Sequence, residues 1–147
     1  MPPEGGLFTP AAQELFQAAG DSADRLGHYG VIGTNDLLVA FLTEPRFRPP
    51  GVPPLDKQDV LKVAGELYPP FPDLGDKGQP HLRSPKVMEV INRSVDVART
   101  ANAPVGLTPE HLWAGLLLHG SEAVRAILAR LGLDRQALLK AAGVAEP

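Results

Sequence analysis

The chain has 147 residues, which is enough for one domain whose core needs no disulfide or metal to hold it together. It contains no cysteine, which excludes disulfides, thiolate metal sites and cysteine nucleophiles. A formal net charge of −3 argues against a nucleic-acid-binding face, which is usually a basic patch. No apolar run approaches the roughly 20 residues of a membrane span, and the opening MPPEGG lacks the basic-then-apolar form of a signal peptide, so we expect a cytoplasmic protein without membrane contact.

The sequence repeats itself. The segment LDKQDVLKVAG at 55–65 returns as LDRQALLKAAG at 133–143, with seven of eleven positions identical. Nearer the start, the pair Thr9-Pro10 returns 75 residues later as Ser84-Pro85. Self-similarity of this kind indicates a duplicated structural unit. The predicted organisation is a single domain over 1–147, with repeat one at 8–68, a linker at 69–82 and repeat two at 83–143.

The first helix of each repeat is predicted to begin at a hydroxyl residue followed by proline. Thr9 and Ser84 can accept hydrogen bonds from the first backbone N–H groups, and proline is tolerated at the first helical position. The apolar residues that follow have the spacing of an amphipathic helix. We expect Glu14 and Glu89, which correspond in the two repeats, to face solvent rather than form a catalytic pair.

The second helix of each repeat is predicted to be buried. The segments LLVAFL (37–42) and LWAGLLL (112–118) are apolar on all sides, which is typical of a helix at the centre of a small domain. Thr34 and Thr108 are the predicted N-caps. Trp113 is expected to belong to the core rather than to a ligand platform.

The two repeats diverge at the third helix. Repeat two contains SEAVRAILARLG at 121–132, with Ser121 as the predicted cap and an apolar stripe behind it. Repeat one has EPRFRPPGVPP at 44–54, whose five prolines cannot continue a helix. The predicted fold is therefore all-α, a pseudo-twofold tandem duplication of a four-helix repeat with about seven helices. The third helix of the first repeat is replaced by a proline-rich loop, which is the place where this protein is expected to differ most from any relative.

The closing helix of each repeat is predicted from the duplicated segment itself. Asp56 and Asp134 are the expected N-caps, because their charge is favourable at a helix N-terminus. Gly65 and Gly143 are predicted to end the last turn. The linker at 69–82 is rich in proline and glycine, so we expect it to be exposed.

Motifs for catalysis or metal binding are missing from the sequence. There is no GxxxxGK[ST] phosphate loop, no GxSxG elbow and no HExxH metal motif. Histidine residues show no ligand spacing; they are His28, His81, His111 and His119. We therefore predict a protein that is not an enzyme and has no metal or cofactor.

Several short motifs follow one another along both repeats. They are Phe8-Thr9-Pro10, Arg25-Leu26-Gly27-His28, Ile32-Gly33-Thr34, Thr108-Pro109-Glu110-His111-Leu112 and the pattern I-L-x-x-L-G-L-D at 127–134. In this order they resemble the N-terminal domain of the Clp family of AAA+ unfoldases, over nearly the whole chain and including the duplication. The resemblance implies a compact helical domain that binds adaptors and protein substrates for an ATP-driven unfoldase of the Clp family, and we expect a monomer.

Three features depart from that family pattern. No Walker motif of an ATPase follows, so the chain is either a freestanding protein or a fragment; the expectation is a freestanding module that acts as an adaptor or competes with the N-terminal domain of the unfoldase. The third helix of repeat one is lost, and Arg83 stands where repeat one has Phe8. An alternative function is a ligand-sequestering or regulatory domain outside proteolysis, which would need a deep apolar pocket for a small molecule on the same helical scaffold.

The resemblance also implies a binding site. In some Clp relatives a glutamate in each T-E-H motif helps bind phosphorylated arginine, and Glu110 corresponds to it in repeat two. Repeat one has Asn35 or Asp36 there, depending on the alignment. A carboxylate would pair with the guanidinium while helix N-termini and hydroxyls hold the phosphate. The other predicted members of the site are Thr9, Thr34, Ser84, Thr108 and His111. A competing interpretation is that Glu110 only stabilises its own helix, by about 0.3–1 kcal/mol.

Overall fold

The computed structural model describes residues 8–27, 31–68, 82–100 and 106–144, which form seven α-helices. The helices are α1 (Pro10–Arg25), α2 (Thr34–Thr43), α3 (Lys57–Leu67), α4 (Pro85–Thr100), α5 (Pro109–His119), α6 (Glu122–Arg130) and α7 (Arg135–Ala141). The strands β1 (Val31–Ile32) and β2 (Leu82–Arg83) form a short parallel ladder. The predicted all-α class is confirmed. The predicted linker, apart from its last residue, lies outside the described residues, as do His28 and His81.

Most predicted helix starts are confirmed by capping hydrogen bonds. In each of them a side-chain oxygen accepts from a backbone N–H two or three residues later, which satisfies a donor that has no partner within the helix. The capping residues are Thr9, Asp56, Ser84, Thr108, Ser121 and Asp134.

The predicted N-cap at Thr34 is wrong by one residue. Helix α2 already includes Thr34, and Gly33 is its N-cap. The Asp36 carboxylate accepts the Gly33 N–H at 2.9 Å, which stabilises this start in place of a hydroxyl. The Thr34 hydroxyl is instead hydrogen-bonded in the interior to the Ser121 hydroxyl at 2.9 Å. Ser121 belongs to the other repeat, so nothing in the local sequence indicates this partner.

The predicted helix end at Gly65 is also wrong. Helix α3 runs on to Leu67, and the Tyr68 N–H donates to the Ala64 carbonyl at 2.8 Å. Leu67 and Tyr68 pack against the apolar core, and these tertiary contacts continue the helix past a residue with low helix propensity. The corresponding Gly143 does follow the end of α7, with a φ of +74°.

Helices α2 and α5 form the centre of the core, as their uniform apolar character predicts. Every residue from 37 to 42 and from 112 to 117 is buried. The rings of Phe41 and Trp113 meet across the two helices with centroids 5.0 Å apart, so the two repeats share one core.

The proline-rich segment of repeat one forms a 3₁₀ turn at Pro45–Phe47 and then continues without regular structure to Asp56. The predicted loss of the third helix is confirmed within this described stretch. Each proline lacks a backbone N–H, and its ring restricts the residue before it, so an α-helix cannot form there.

The repeats exchange their starting segments. Phe8 forms a parallel bridge with Leu107, and the Thr9 N–H donates to the Leu107 carbonyl at 3.0 Å. On the other side, the Ser84 N–H donates to the Ile32 carbonyl at 3.0 Å, continuing the ladder of β1 and β2. Each repeat therefore begins beside the residues that precede the second helix of the other repeat. This arrangement places the start of α1 next to the start of α5, and the start of α4 next to the start of α2.

Candidate functional site

The structure sorts the eight predicted site residues into two groups. We call the first group junction A; it consists of Thr9, Thr108, Glu110 and His111, at the starts of α1 and α5. The second group is junction B; it consists of Thr34, Asn35, Asp36 and Ser84, at the starts of α2 and α4. Each junction contains residues of both repeats, because the starting segments are exchanged.

At junction A, the hydroxyl and imidazole groups hold the two helix starts. The Thr9 hydroxyl donates to the Leu107 carbonyl at 3.1 Å and accepts the Ala12 N–H at 3.2 Å. The Thr108 N–H donates to Nδ1 of His111 at 3.1 Å, while the His111 N–H donates to the Thr108 hydroxyl at 3.2 Å. Glu110 is the exception, because its side chain is exposed and pairs with no described residue.

Junction B has a different chemistry. Asp36 is only 1% exposed and holds the N-cap of its own helix, so its carboxylate does not face solvent. Asn35 is partly exposed there but carries no charge. The Thr34 hydroxyl is buried against Ser121, and the Ser84 hydroxyl accepts the N–H of Val87 at 3.2 Å. The four predicted residues therefore present no exposed carboxylate at junction B.

Arg83, the departure from the Phe-Thr-Pro pattern, has a packing role. Its guanidinium carbon lies 5.0 Å from the ring centroid of Phe8 and 4.7 Å from that of Phe16. Cation–π contacts of this kind contribute about 0.5–2 kcal/mol each. Arg83 is the second residue of β2 and the first residue of repeat two, whereas the two rings belong to repeat one, so this contact ties the halves together.

A groove of about 260 Å³ opens beside junction A. Phe41 and Trp113 contribute its apolar floor, and the residues from Arg46 to Pro50 form one wall. Pro109 and Glu110, at the start of α5, line the opposite side. The groove thus lies between the proline-rich loop of repeat one and a helix of repeat two.

Two guanidinium groups stand on the loop side of this groove. Arg46 lies 3.5 Å from the Glu14 carboxylate, with both side chains more than half exposed, and its guanidinium covers the Phe47 ring at 4.6 Å. Arg48 is exposed and forms no ion pair with a described residue. Nε1 of Trp113 is a donor that has no acceptor among the described residues, but it is buried and is not presented to the groove. The charged hydrogen-bond donors of the lining are the guanidinium groups of Arg46 and Arg48.

The sequence does not predict the groove or its two arginines as site residues. It does predict that the segment 44–54 differs between the repeats, and this difference is the sequence signal that could have indicated the groove. The position of that loop against the start of α5 depends on contacts between residues far apart in the chain. Local periodicity and capping rules do not contain this information.

The described residues hold no group of three or more His, Asp or Glu side chains that could bind a metal ion. His111 caps α5, whereas His119 at the other end of the same helix lies 3.1 Å from the Glu89 carboxylate. Across the described ranges, no helix combines the length and the apolar character needed to cross a membrane.

Comparison with known proteins gives matches in structure. No family model and no curated protein matches the sequence. The N-terminal domain of the caseinolytic-protease-associated chaperone ClpD from Arabidopsis thaliana superposes with a TM-score of 0.72 at 20% identity, covering 92% of this chain and 91% of that one. A structure from a malarial protein secretion system gives a TM-score of 0.71 at 16% identity, covering 94% of this chain and 93% of that chain.

The N-terminal domain of Hsp104 from Candida albicans gives a TM-score of 0.63 at 15% identity, covering 92% of this chain and 89% of that chain. At these identities the likeness establishes the fold. The chain has the fold of a Clp N-terminal domain, which confirms the resemblance that the sequence motifs indicate.

Proposed function

We propose that this chain is a non-enzymatic protein-recognition module of a Clp chaperone and protease system, which binds protein substrates or adaptors. The fold supports this proposal, because N-terminal domains of ClpD and Hsp104 share it over 92% of the chain. The open groove beside junction A supports it as well, since both repeats contribute to its walls. In this proposal the protein is a cytoplasmic monomer.

The observation that carries the proposal is the position of Glu110. Around it, Thr9, Thr108 and His111 are occupied in holding helix starts. Glu110 itself is exposed, has no described partner and lines the groove. A carboxylate kept at the mouth of a partly apolar groove is available to a partner, and a charge-assisted hydrogen bond to it would give both affinity and orientation.

Phosphorylated arginine on a protein substrate is the ligand that we propose for junction A. Its guanidinium would pair with Glu110, and the paired N-termini of α1 and α5 would favour the phosphate. Junction B is not proposed as an equivalent site, because Asp36 is buried and Asn35 is neutral. The proposal is therefore one phosphoarginine site in repeat two and none in repeat one.

The alternative function, sequestration of a small apolar molecule, is favoured less by the shape of the groove. Small-molecule sites usually enclose about 300–1,000 Å³ and bury most of the ligand. This groove measures about 260 Å³ and is lined by Arg46, Arg48 and Glu110 as well as by apolar side chains. An open, partly charged surface suits a polypeptide segment better than a small apolar molecule.

Two roles are compatible with the proposal. The chain could deliver substrates to an unfoldase, or it could compete with the N-terminal domain of that unfoldase for adaptors. Capture on the immobilised protein from a lysate, followed by identification of Clp subunits and adaptors, tests both roles. Recovery of neither class would count against the proposed function.

A titration with free phosphoarginine, followed by calorimetry, tests the site. We expect saturable binding that weakens at least tenfold in Glu110→Ala, because hydrogen bonds to charged groups contribute about 1.5–3 kcal/mol. Glu122→Ala is a matched control, since Glu122 is also an exposed acid in the first turn of a helix but does not line the groove. Absence of binding, or equal binding by Glu110→Ala, would end the phosphoarginine assignment.

A further inference from the structure

The groove lies where the duplication predicts a helix. Helix α6, the third helix of repeat two, packs on α2 and α3 of repeat one. By the pseudo-twofold arrangement, a third helix in repeat one would pack on α5 and α7 of repeat two. Those two helices are the ones that the proline-rich loop approaches. The groove residues Pro109 and Trp113 belong to α5, and Ala142 directly follows α7.

The loop supplies apolar side chains in place of that helix. Helix α6 buries Val124, Ile127 and Leu128 almost completely. In the loop, Phe47 and Val52 are 8% and 7% exposed. The loop thus covers part of the core surface that a third helix of repeat one would cover. It does so with fewer large apolar groups than α6 and without the regular backbone of a helix.

Gly51 shows how closely the loop approaches the last helix. Its φ is +83°, and a Cβ placed on it would lie only 2.9 Å from the Cβ of Ala141. The loop therefore lies directly against α7 at this point. Towards α5 it leaves the groove of about 260 Å³. An engineered cavity of about 150 Å³ is large enough for a benzene molecule, so this groove has room for an aromatic or a branched side chain.

The charges around the groove favour an acidic ligand. The lining includes two arginines, Arg46 and Arg48, and one acidic residue, Glu110, while Glu14 pairs with Arg46 from outside the lining. Arg48 is exposed and has no described acidic partner. A ligand that supplies carboxylate oxygens would pair with the Arg48 guanidinium and would share that of Arg46 with Glu14.

We propose that this groove binds an acidic segment of a partner protein, which occupies part of the space of the missing helix. The segment would place an aromatic or branched apolar side chain on the floor formed by Phe41 and Trp113. Its carboxylates would lie beside Arg46 and Arg48. This inference rests on the proposed function, because it names the partner chemistry of a protein-recognition module. It is separate from phosphoarginine binding, which uses Glu110 and a cationic group of the ligand.

The chain carries its own reporter of this site. Trp113 is the only tryptophan in the sequence and lines the groove, so its fluorescence reports on what fills the floor. The purified protein is titrated with three capped hexapeptides. The first, DEFLED, has the proposed chemistry; the second, KKFLKK, reverses the charge; the third, DESGED, lacks the apolar side chains.

We expect a saturable change in Trp113 fluorescence with the first peptide, and affinities at least tenfold weaker with the other two. The double variant Arg46→Ala and Arg48→Ala should weaken binding of the first peptide at least tenfold, and added salt should weaken binding to the wild type. Arg93→Ala, which removes an exposed arginine of α4 outside the groove, should bind like the wild type. Circular dichroism verifies that each variant is folded.

Three results would overturn this inference. They are equal binding of the acidic and basic peptides, no binding of the acidic peptide, and equal binding of the acidic peptide by the wild type and the double arginine variant. Capture from a lysate distinguishes a failure of the groove inference from a failure of the proposed function. If the wild type recovers Clp subunits or adaptors and the double arginine variant recovers them equally, the groove inference fails while the proposed function stands.

Discussion

Gly115 lies where helices α4 and α5 come into backbone contact, and replacing it with alanine should destabilise the protein. A Cβ at this position would lie 2.8 Å from the carbonyl oxygen of Val90 and 2.9 Å from the backbone nitrogen of Ser94. It would also overlap the Ser94 hydroxyl. Since two of these atoms belong to the backbone, the helices must move apart to accept the methyl group.

Two opposing effects set the magnitude. Alanine is more favourable than glycine inside a helix by about 0.5–1 kcal/mol. Overpacking typically costs about 1–3 kcal/mol, and here it would disturb the buried hydrogen bond of 2.8 Å that Ser94 donates to Val90. We expect Gly115→Ala to lower the free energy of unfolding by about 1–2 kcal/mol, which corresponds to a fall in Tm of about 2–8 °C.

Gly65 provides the matched control. It also lies inside a helix, but a Cβ there would have Leu26 Cδ2 at 3.9 Å as its nearest neighbour, which is an ordinary contact. Gly65→Ala should therefore raise the free energy of unfolding by about 0.5–1 kcal/mol. The same substitution is thus expected to have opposite signs at the two positions.

Urea unfolding followed by far-ultraviolet circular dichroism measures both variants. The free energies are compared by linear extrapolation, provided that the slopes agree with that of the wild type. If Gly115→Ala is as stable as the wild type or more stable, then α4 and α5 are not in the close contact described above, and the reasoning is refuted.

Three further predictions concern stability. In a double-mutant cycle of Thr34→Val and Ser121→Ala, the free energies of unfolding should show a coupling of about 0.5–1.5 kcal/mol, because the two buried hydroxyls are hydrogen-bonded to each other. If the losses of stability in the two single variants add up to the loss in the double variant, this bond is not present. Asp36→Ala should lower the free energy of unfolding by about 0.5–2 kcal/mol through loss of the capping bond at the start of α2, and an unchanged Tm would count against that role. Burial, and secondarily the Glu122 carboxylate, raises the pKa of Tyr68. The folded state therefore holds the phenolic proton more tightly than the unfolded state. The stability that this provides is lost as the pH rises through the raised pKa. Urea midpoints at about pH 9 and about pH 11 should therefore differ less in Tyr68→Phe than in the wild type, and equal differences would contradict the assignment.

Much of the fold is predictable because its causes lie within a few residues. The Thr9-Pro10 start is readable from the capping rule alone, and the buried helices at 37–42 and 112–117 are readable from their apolar character. The error at Thr34 has a local and a distant cause, because the Asp36 carboxylate caps Gly33 and the Thr34 hydroxyl bonds Ser121 of the other repeat. At Gly65, packing of Leu67 and Tyr68 against the core outweighs the local preference.

The candidate site is less predictable. Glu110 and Asp36 look like equivalent acids in the first turn of a helix, yet one is exposed and the other is 1% exposed. The role of Gly115 cannot be read from the sequence either. Repeat one has Ala40 at the corresponding position, and the core accommodates the Cβ of that alanine. In each case the exposure or the role of a single residue depends on how closely its neighbours pack.

The sequence by itself determined the helices, most of their caps, the duplication and the loss of one helix to a proline-rich loop. These follow from backbone hydrogen bonding, side-chain periodicity and the fixed φ of proline, which act over a few residues. Only the tertiary structure decided that the repeats exchange their starts, and that Arg46 and Arg48 line one groove together with Glu110. These depend on burying both repeats in one core, which brings together residues that are distant in the chain.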